Sequence, residues 1–166
     1  MKSLTLATIL LGLVFQSVRG EPRSTTSPAK AGDSLIVGEG ADAETLGPLF
    51  SVTGTSSQVI ALLFLQLAKI EPDLSYSPSL ARSWEFSDDR LTLTFRLRDD
   101  VLWHDGVKTT AHDVKFTYDL HTNPEVNYPS ARWKTHIEEC VVDDEYTVRF
   151  VFDKSYSTQL SDANVG

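Results

Sequence analysis

The sequence of 166 residues is poor in cysteine and in basic residues. Cys140 is its single cysteine, so no internal disulfide can form, and an oxidising compartment would add no covalent constraint. Lysine and arginine number 15 against 23 aspartate and glutamate residues, which gives a formal net charge of −8. Nucleic-acid binding depends on neutralising phosphates with basic side chains, so this composition argues against a nucleic-acid partner and against an anionic membrane surface.

Long apolar runs are also missing, apart from one near the start of the chain. Residues 4–15 are apolar and follow the positive charge of Lys2. This run is too short to cross a bilayer core of about 30 Å, and its composition is typical of a signal peptide. We therefore interpret residues 1–20 as a signal peptide, with a buried N-terminal helix as the alternative.

The segment after this run would form the start of the exported chain. Residues 21–33 are rich in Pro, Ser, Thr and Gly and predict a flexible tether, because they cannot bury enough apolar surface to become ordered. No cysteine follows the apolar run that could carry a lipid. We therefore expect a soluble protein exported to the periplasm or the cell exterior.

The usual motifs of catalysis and metal binding are absent from the sequence. It contains no G-x-S-x-G, phosphate-binding loop or dinucleotide fingerprint. Paired acids such as Asp88 and Asp89 lie at predicted turns, where Asp side chains bond to the backbone, and Cys140 lies in an apolar run that predicts a buried, inert thiol. The histidines lack the close pairing of a structural zinc site: they are His104, His112, His121 and His136. We expect no enzyme activity, no metal and no cofactor, and a hydrolase is the weakest functional hypothesis.

Residues 80–120 are the most informative stretch for the fold. Residues 83–86 alternate polar and aromatic side chains, as a half-buried strand does, and residues 87–90 predict a turn. The apolar residues that follow alternate with polar ones and share one face: Leu91, Leu93, Phe95 and Leu97. This pattern predicts a hairpin with one buried face.

A second turn and a helix follow directly. Residues 103–106 end in Asp-Gly and predict a tight turn. Thr109 or Thr110 can cap a helix over residues 111–121, and Asp113 suits the positive end of the helix dipole.

Two further patterns complete the predicted α+β fold. Residues 137–142 and 146–152 are strand-like around an acidic turn, so the two hairpins together predict one antiparallel sheet. Residues 55–70 predict a deeply packed helix capped by Ser56 or Ser57, and residues 73–78 a loop. Residues 34–38 predict a buried strand.

One run of the sequence resembles a known family. Residues 83–119, with the pattern SWEFSDDxLTLTFRLRDDVxWHDGxxxTAxDVxFTYD, resemble the peptide- and nickel-binding family of extracellular solute-binding proteins, which serve ABC importers. The resemblance extends more thinly from about Leu35 to Tyr156 and implies part of the first lobe of a periplasmic-binding-protein-like fold. Arg90 stands where the family usually has Gly, and Lys108 and Thr109 stand where a Pro is common.

The resemblance also implies a ligand-contacting loop after the first strand. Its acidic-x-x-Thr/Ser-Leu-x-Pro pattern is matched by Asp42, Thr45, Leu46 and Pro48, while Gly47 replaces a common Asp. A solvated polar loop is the alternative interpretation from the residues alone. The ligand-binding residues that we predict are Asp42, Ala43, Glu44, Thr45, Tyr128 and Trp133.

Three tryptophans invite structural interpretations as well. For Trp133, a plug in the core beneath the loop is the alternative to a ligand contact. Trp84 and Trp103 are predicted to lie in the core, because each lies on or beside a strand with apolar neighbours.

The implied function is a peptide- or small-solute-binding component of an importer, acting as a monomer with an ABC permease in the membrane. Residues 34–166 would then be the N-terminal portion of the binding domain, without its second lobe. Since a solute site needs two walls, we expect the chain alone to bind weakly or not at all. A stand-alone secreted interaction module with no transport role is the alternative.

Overall fold

The structure is a computed structural model that describes residues 38–51 and 53–165. The predicted signal peptide, the tether and, except for Gly38, the strand at residues 34–38 lie outside the described residues. The chain divides after Gly38, and the elements below all lie in the unit that begins at Glu39. In chain order they are α1 (Gly54–Leu63), β1 (Ala68–Ile70), β2 (Tyr76–Pro78), β3 (Ala81–Phe86), β4 (Thr92–Leu97), α2 (Ala111–Thr122), a 3-10 helix (Ala131–Lys134), β5 (Ile137–Asp144), β6 (Thr147–Phe152) and α3 (Gln159–Ala163).

The two predicted hairpins form one four-stranded antiparallel sheet, in the order β3-β4-β6-β5. The strand β4 of the first hairpin pairs with β6 of the second, with Leu93 opposite Phe150 and Phe95 opposite Val148. The prediction of an α+β fold with an antiparallel sheet is confirmed. A separate two-stranded pair joins β1 to β2.

The core lies between this sheet and α2. Alternate residues of the two central strands point into it and are almost fully buried: Leu93, Phe95, Leu97, Val148, Phe150 and Phe152. Tyr118 of α2 meets Phe150 edge to face at 5.7 Å between ring centroids, and its hydroxyl donates to the Ile137 carbonyl at 3.1 Å. Each buried side chain of this size contributes roughly 1.5–3 kcal/mol.

Both predicted turns of the 80–120 stretch form, although residues in or just after them depart from the family pattern. Arg90 adopts a left-handed backbone at φ 58°, although it carries a side chain where glycine is the usual solution. Its guanidinium lies 4.6 Å from the centroid of the Phe86 ring, and its carbonyl accepts from Gln159 at 2.8 Å. Gly106 takes φ 87°, and its amide donates to the Trp103 carbonyl at 2.9 Å.

The predicted helix over residues 55–70 is too long. α1 ends at Leu63, and Phe64 adopts an extended backbone. The reason is that the following backbone groups bond to distant partners: the Leu67 amide donates to the Val165 carbonyl at 3.2 Å, and the Leu67 carbonyl accepts from Ala81 at 2.8 Å. Tertiary partners therefore override the helical pattern.

Two related expectations are also wrong. α1 is not deeply packed, since Leu62 is 88% exposed and Ser56 is its one fully buried residue within the described chain. Its N-cap is Thr53, whose hydroxyl accepts from the Ser56 amide at 3.4 Å. The predicted loop at residues 73–78 contains β2, because Tyr76–Pro78 pairs with β1.

The α2 prediction is confirmed at both ends. The helix spans Ala111–Thr122, and the Asp113 carboxylate accepts from the Thr110 amide at 2.7 Å and from its hydroxyl at 3.1 Å. This bond satisfies a backbone donor just ahead of the first turn and places negative charge at the positive end of the helix.

Asn164 fastens the end of the described chain to β1. Its side-chain oxygen accepts from the Ala68 amide at 2.8 Å, and its side-chain nitrogen donates to the Ala68 carbonyl at 2.9 Å. Ala68 is fully buried, so both of its backbone groups depend on this one side chain.

His121 is buried on the last turn of α2. Its ring stacks on Tyr128 at 4.1 Å between centroids, and its Nδ1 is buried without a partner among the described residues. Burial, helped by the positive charge of Lys134, lowers the pKa of His121 to about 4. The side chain is therefore neutral at pH 7.

We expect Asn164→Ala to lower the free energy of unfolding by roughly 2–3 kcal/mol, because two buried backbone groups lose their partner. Urea denaturation measures this loss. The matched control is Asn123→Ala, which removes one exposed bond to the Glu125 amide and should cost less than about 1 kcal/mol. Equal losses in the two variants would contradict the fastening role.

We expect His121 to make the fold sensitive to acid. The unfolded chain protonates this side chain near pH 6.5 and the folded chain only near pH 4, so the unfolded state binds more protons between these values. The free energy of unfolding should therefore fall by roughly 2–3 kcal/mol as the pH drops through this window.

Urea unfolding at pH 7, 5.5 and 4.5 measures this slope, which His121→Gln should flatten. The control His112→Gln changes an exposed histidine of the same helix and should keep the slope. A His121→Gln variant with the parent slope would assign the acid sensitivity to other groups.

Candidate functional site

The predicted ligand loop is tied to the first turn of α1. The hydroxyl of Ser56, a fully buried residue, accepts from the Glu44 amide at 2.9 Å and from the Thr45 amide at 3.4 Å. Thr45 in turn accepts from the Gly47 amide at 3.0 Å. The backbone of residues 44–47 is thus held from inside, and sequence reasoning missed Ser56 because it was assigned to the helix cap.

The acidic side chains of this loop are exposed, so a polar ligand can reach them. Asp42 and Glu44 are exposed, whereas Ala43 and Thr45 are half-buried. Among the described residues, neither carboxylate takes part in a hydrogen bond or an ion pair. Free carboxylates on a fixed backbone can accept charge-assisted hydrogen bonds from an ammonium or guanidinium group. Their contact with a ligand stays a prediction.

Tyr128 and Trp133 lie together at a second place. Both line an open cavity of about 390 Å³, together with Lys134 of the 3-10 helix and residues of α3 and its flanks. Tyr128 is fixed by its stack on His121, and the Arg132 guanidinium lies 5.1 Å from the Trp133 ring centroid.

The interpretation of Trp133 as a core plug is wrong, because the residue is 58% exposed. The next residue, Lys134, turns inward instead and is only 8% exposed. The loop residues Asp42, Ala43, Glu44 and Thr45 do not line this cavity, so the structure does not bring the two predicted groups into one site.

An apolar groove of about 480 Å³ lies beside α2, and sequence reasoning did not find it. It is lined mainly by residues 47–50, residues 101–104 and residues of α2. Phe50, Leu102 and Phe116 are each more than half exposed there. Phe64 and Leu65, which follow the end of α1, also line the groove.

The predicted core positions of Trp103 and Trp84 have different outcomes. Trp103 is 37% exposed and lines the apolar groove, so its assignment to the core is wrong. Trp84 is half-buried and packs against the core, with its ring centroid 6.3 Å from that of Phe95.

Two titratable residues, Cys140 and Asp89, have structural surroundings. Burial raises the pKa of the Cys140 thiol to about 12, which fits the predicted inert thiol. Bonds from the Ser87 hydroxyl and the Leu91 amide lower the pKa of Asp89, as expected for an acid chosen for its turn. No cluster of three or more metal-ligating side chains occurs in the part of the chain that the structure describes. No helix there is long and apolar enough to cross a membrane.

Curated relatives share much of this chain but extend well beyond it. The glutathione-binding protein GsiB of Salmonella paratyphi A is 31% identical over 135 residues, which cover 81% of this chain and 26% of the relative. The probable peptide-binding protein YejA of Agrobacterium fabrum is 31% identical over 134 residues, covering 80% and 21%. The chain thus spans about a quarter of the length of the curated relatives it matches.

The chain likewise covers about a quarter of the length of the solved structures that it resembles. NikZ from Campylobacter jejuni, in complex with Ni(L-His), is 36% identical with a TM-score of 0.60, covering 64% of this chain and 22% of that one. OppA from Haemophilus influenzae, in complex with the peptide RPPGFSPFR, has a TM-score of 0.69 at 23% identity, covering 76% and 29%, and shows the fold alone.

A family model assigns the chain directly. The model described as "Bacterial extracellular solute-binding proteins, family 5 Middle" matches residues 75–164, which is more than half of the 166 residues. This match covers the four-stranded sheet, α2 and α3. The chain therefore belongs to family 5 of the bacterial extracellular solute-binding proteins.

Proposed function

We propose that this chain supplies part of the solute-binding component of an ABC importer, and that its solute is a peptide or a similar small molecule. The observation that carries the proposal is the family match over residues 75–164. Relatives named for binding glutathione or peptides support the choice of solute. The permease in the membrane is the partner that the role requires.

The loop at residues 42–45 is the proposed contact with the solute on this chain. Its carboxylates are exposed while its backbone is held by Ser56, so the loop can present charge without first becoming ordered. Preorganisation of this kind reduces the entropy lost on binding. The free amino group of a peptide is the complementary ligand group.

Binding by the described part of the chain is expected to be weak. A solute site normally buries most of its ligand, and both the cavity and the groove of this structure are open to solvent. The relatives are about four times longer than the region they share with this chain. We infer that a second wall in such proteins completes the enclosure.

The proposed role has consequences for location and assembly. It places the protein outside the cytoplasm, in the periplasm or beyond, after removal of residues 1–20. The acidic net charge of −8 suits neither nucleic acid nor an anionic membrane surface, and we propose a monomer that meets the permease with its solute.

A stand-alone interaction module is the second candidate. The observation that favours it is one cluster of buried residues that extends from Leu67 to Val165, because a small domain needs a core of its own. Such a module would carry the same fold but would have no solute at residues 42–45.

We expect Ser56→Ala to loosen the ligand loop. The amides of Glu44 and Thr45 lose their acceptor, so their hydrogen exchange should speed up about five- to tenfold, as for the loss of one hydrogen bond. Exchange measured by NMR at these two amides tests this. Ser57→Ala is the matched control, because Ser57 is exposed and its hydroxyl bonds, among the described residues, to the hydroxyl of Ser51 alone. Unchanged exchange in Ser56→Ala would refute the anchor.

A titration with the peptide RPPGFSPFR tests the proposed function. We expect NMR shifts at the amides of residues 42–45 and a Kd of about 1 mM or weaker. The double variant Asp42→Asn, Glu44→Gln should weaken binding several-fold, because it removes the charges that face the peptide amino group. The control Asp88→Asn, Glu138→Gln removes two other exposed charges and should bind as the parent does.

Two results would count against parts of this proposal. Micromolar affinity would contradict the expectation that one wall binds weakly. Saturating peptide without shifts at residues 42–45 would reject the loop as the contact and favour the stand-alone module.

A further inference from the structure

The cavity beside Lys134 contains a buried ammonium group with spare donors. Lys134 is 8% exposed, and its Nζ donates to the Asp162 carbonyl at 2.7 Å. No other hydrogen bond and no ion pair of Lys134 occurs within residues 38–51 and 53–165. An ammonium has three N–H donors, so two remain for another acceptor. A buried charge is costly unless it is paired, and one carbonyl compensates only part of that cost.

Other donors surround the same space. The hydroxyls of Tyr128, Ser130 and Ser161 line the cavity, and none of them bonds to another group in the described part of the protein. None is buried away from solvent, so a ligand in the cavity can reach them. The lining therefore offers several hydrogen-bond donors around a cation, an arrangement that suits an anion.

The cavity is held in shape by contacts outside it. Tyr128 stacks on His121, and both polar atoms of the Asn164 side chain bond to Ala68. These partners leave the ring and the amide little freedom to close the cavity. Trp133 supplies an exposed aromatic face at its edge.

Asp162 narrows the choice of ligand. It lines the cavity but forms no ion pair with Lys134 among the described residues, and its carboxylate accepts from the Thr158 hydroxyl at 3.4 Å. A dianion would be repelled by this carboxylate. A ligand with one carboxylate and an adjacent N–H group offers an acceptor to Lys134 and a hydrogen-bond donor to Asp162.

We propose that the cavity beside Lys134 binds a carboxylate that is carried next to an N–H donor, as at the C-terminal end of a peptide or in a free amino acid. The carboxylate would meet Lys134, the N–H group would meet Asp162, and an apolar side chain would lie against Trp133. This inference rests on the proposed role in solute binding and assigns a contact separate from the loop at residues 42–45. Burial lowers the pKa of Lys134 to about 8, against the opposing charge of Asp162, so the ammonium form predominates at pH 7.

Three probes test the carboxylate and separate its two sources. N-acetylphenylalanine represents a peptide end, phenylalanine a free amino acid, and N-acetylphenylalanine amide lacks the carboxylate but keeps the ring and the N–H group. NMR titration of the 166-residue chain follows the indole N–H of Trp133 and the amide of Ser161. We expect saturable shifts with at least one of the two carboxylates and none with the amide.

Variants then assign the contact to Lys134. Lys134→Met should weaken carboxylate binding at least tenfold, and Lys134→Arg should retain part of it, because the positive charge is kept. Lys154→Met removes an exposed lysine and should bind as the parent does. If Lys134→Met fails to fold, Ser161→Ala offers a second test and should weaken binding about three- to fivefold, since one donor is lost.

Equal shifts with the acid and the amide would overturn the proposal, as would unchanged binding in Lys134→Met. The outcome is independent of the loop. Shifts by RPPGFSPFR at residues 42–45 without any carboxylate response at Trp133 would reject this site and leave the proposed function intact. A Lys134-dependent carboxylate response without loop shifts would support this site and reject residues 42–45 as the peptide contact.

Discussion

The edge-to-face contacts among Phe95, Phe150 and Tyr118 are the interaction on which the rest of the structure depends. Phe95 meets Phe150 at 5.8 Å, and Tyr118 meets Phe150 at 5.7 Å. Each ring comes from a different element, so the cluster joins the first hairpin, the second hairpin and α2 at one point. Such pairs stabilise beyond the area they bury, and they prefer one mutual orientation. They therefore fix how α2 lies across the sheet.

The surfaces proposed to contact a solute are attached to this centre by single polar side chains. Gln159 bonds to the carbonyl of Arg90, Asn164 to both backbone groups of Ala68, and Ser56 to the amides of the loop. All three residues are buried or half-buried. Gln159 and Asn164 join segments that are far apart in the chain, whereas Ser56 bonds to a residue only a dozen positions earlier. The core thus supplies stability, while a few hydrogen bonds place the loop and the cavity.

How much of this follows from the sequence depends on the range of the interactions involved. The alternation around Leu93 and Phe150 and the acids at the turns are local patterns, and they predicted the sheet and its hairpins. The end of α1 was not predictable in this way, because Leu67 leaves the helix for partners near Val165, almost a hundred residues later. Of the site, the family pattern pointed to residues 42–45, whose contact with a solute stays a prediction. Trp133 is exposed and the neighbouring Lys134 is buried, and nothing in a short basic and aromatic segment indicates which side chain turns inward.

The single thiol offers a way to measure local opening of this protein. Only the thiolate reacts with alkylating reagents, and a pKa of about 12 leaves almost none of it at neutral pH while Cys140 stays between the sheet and α2. Modification must then wait for an opening of β5 that brings the sulfur to water. The rate of alkylation therefore reports how often the core opens around Cys140, and no engineered label is needed.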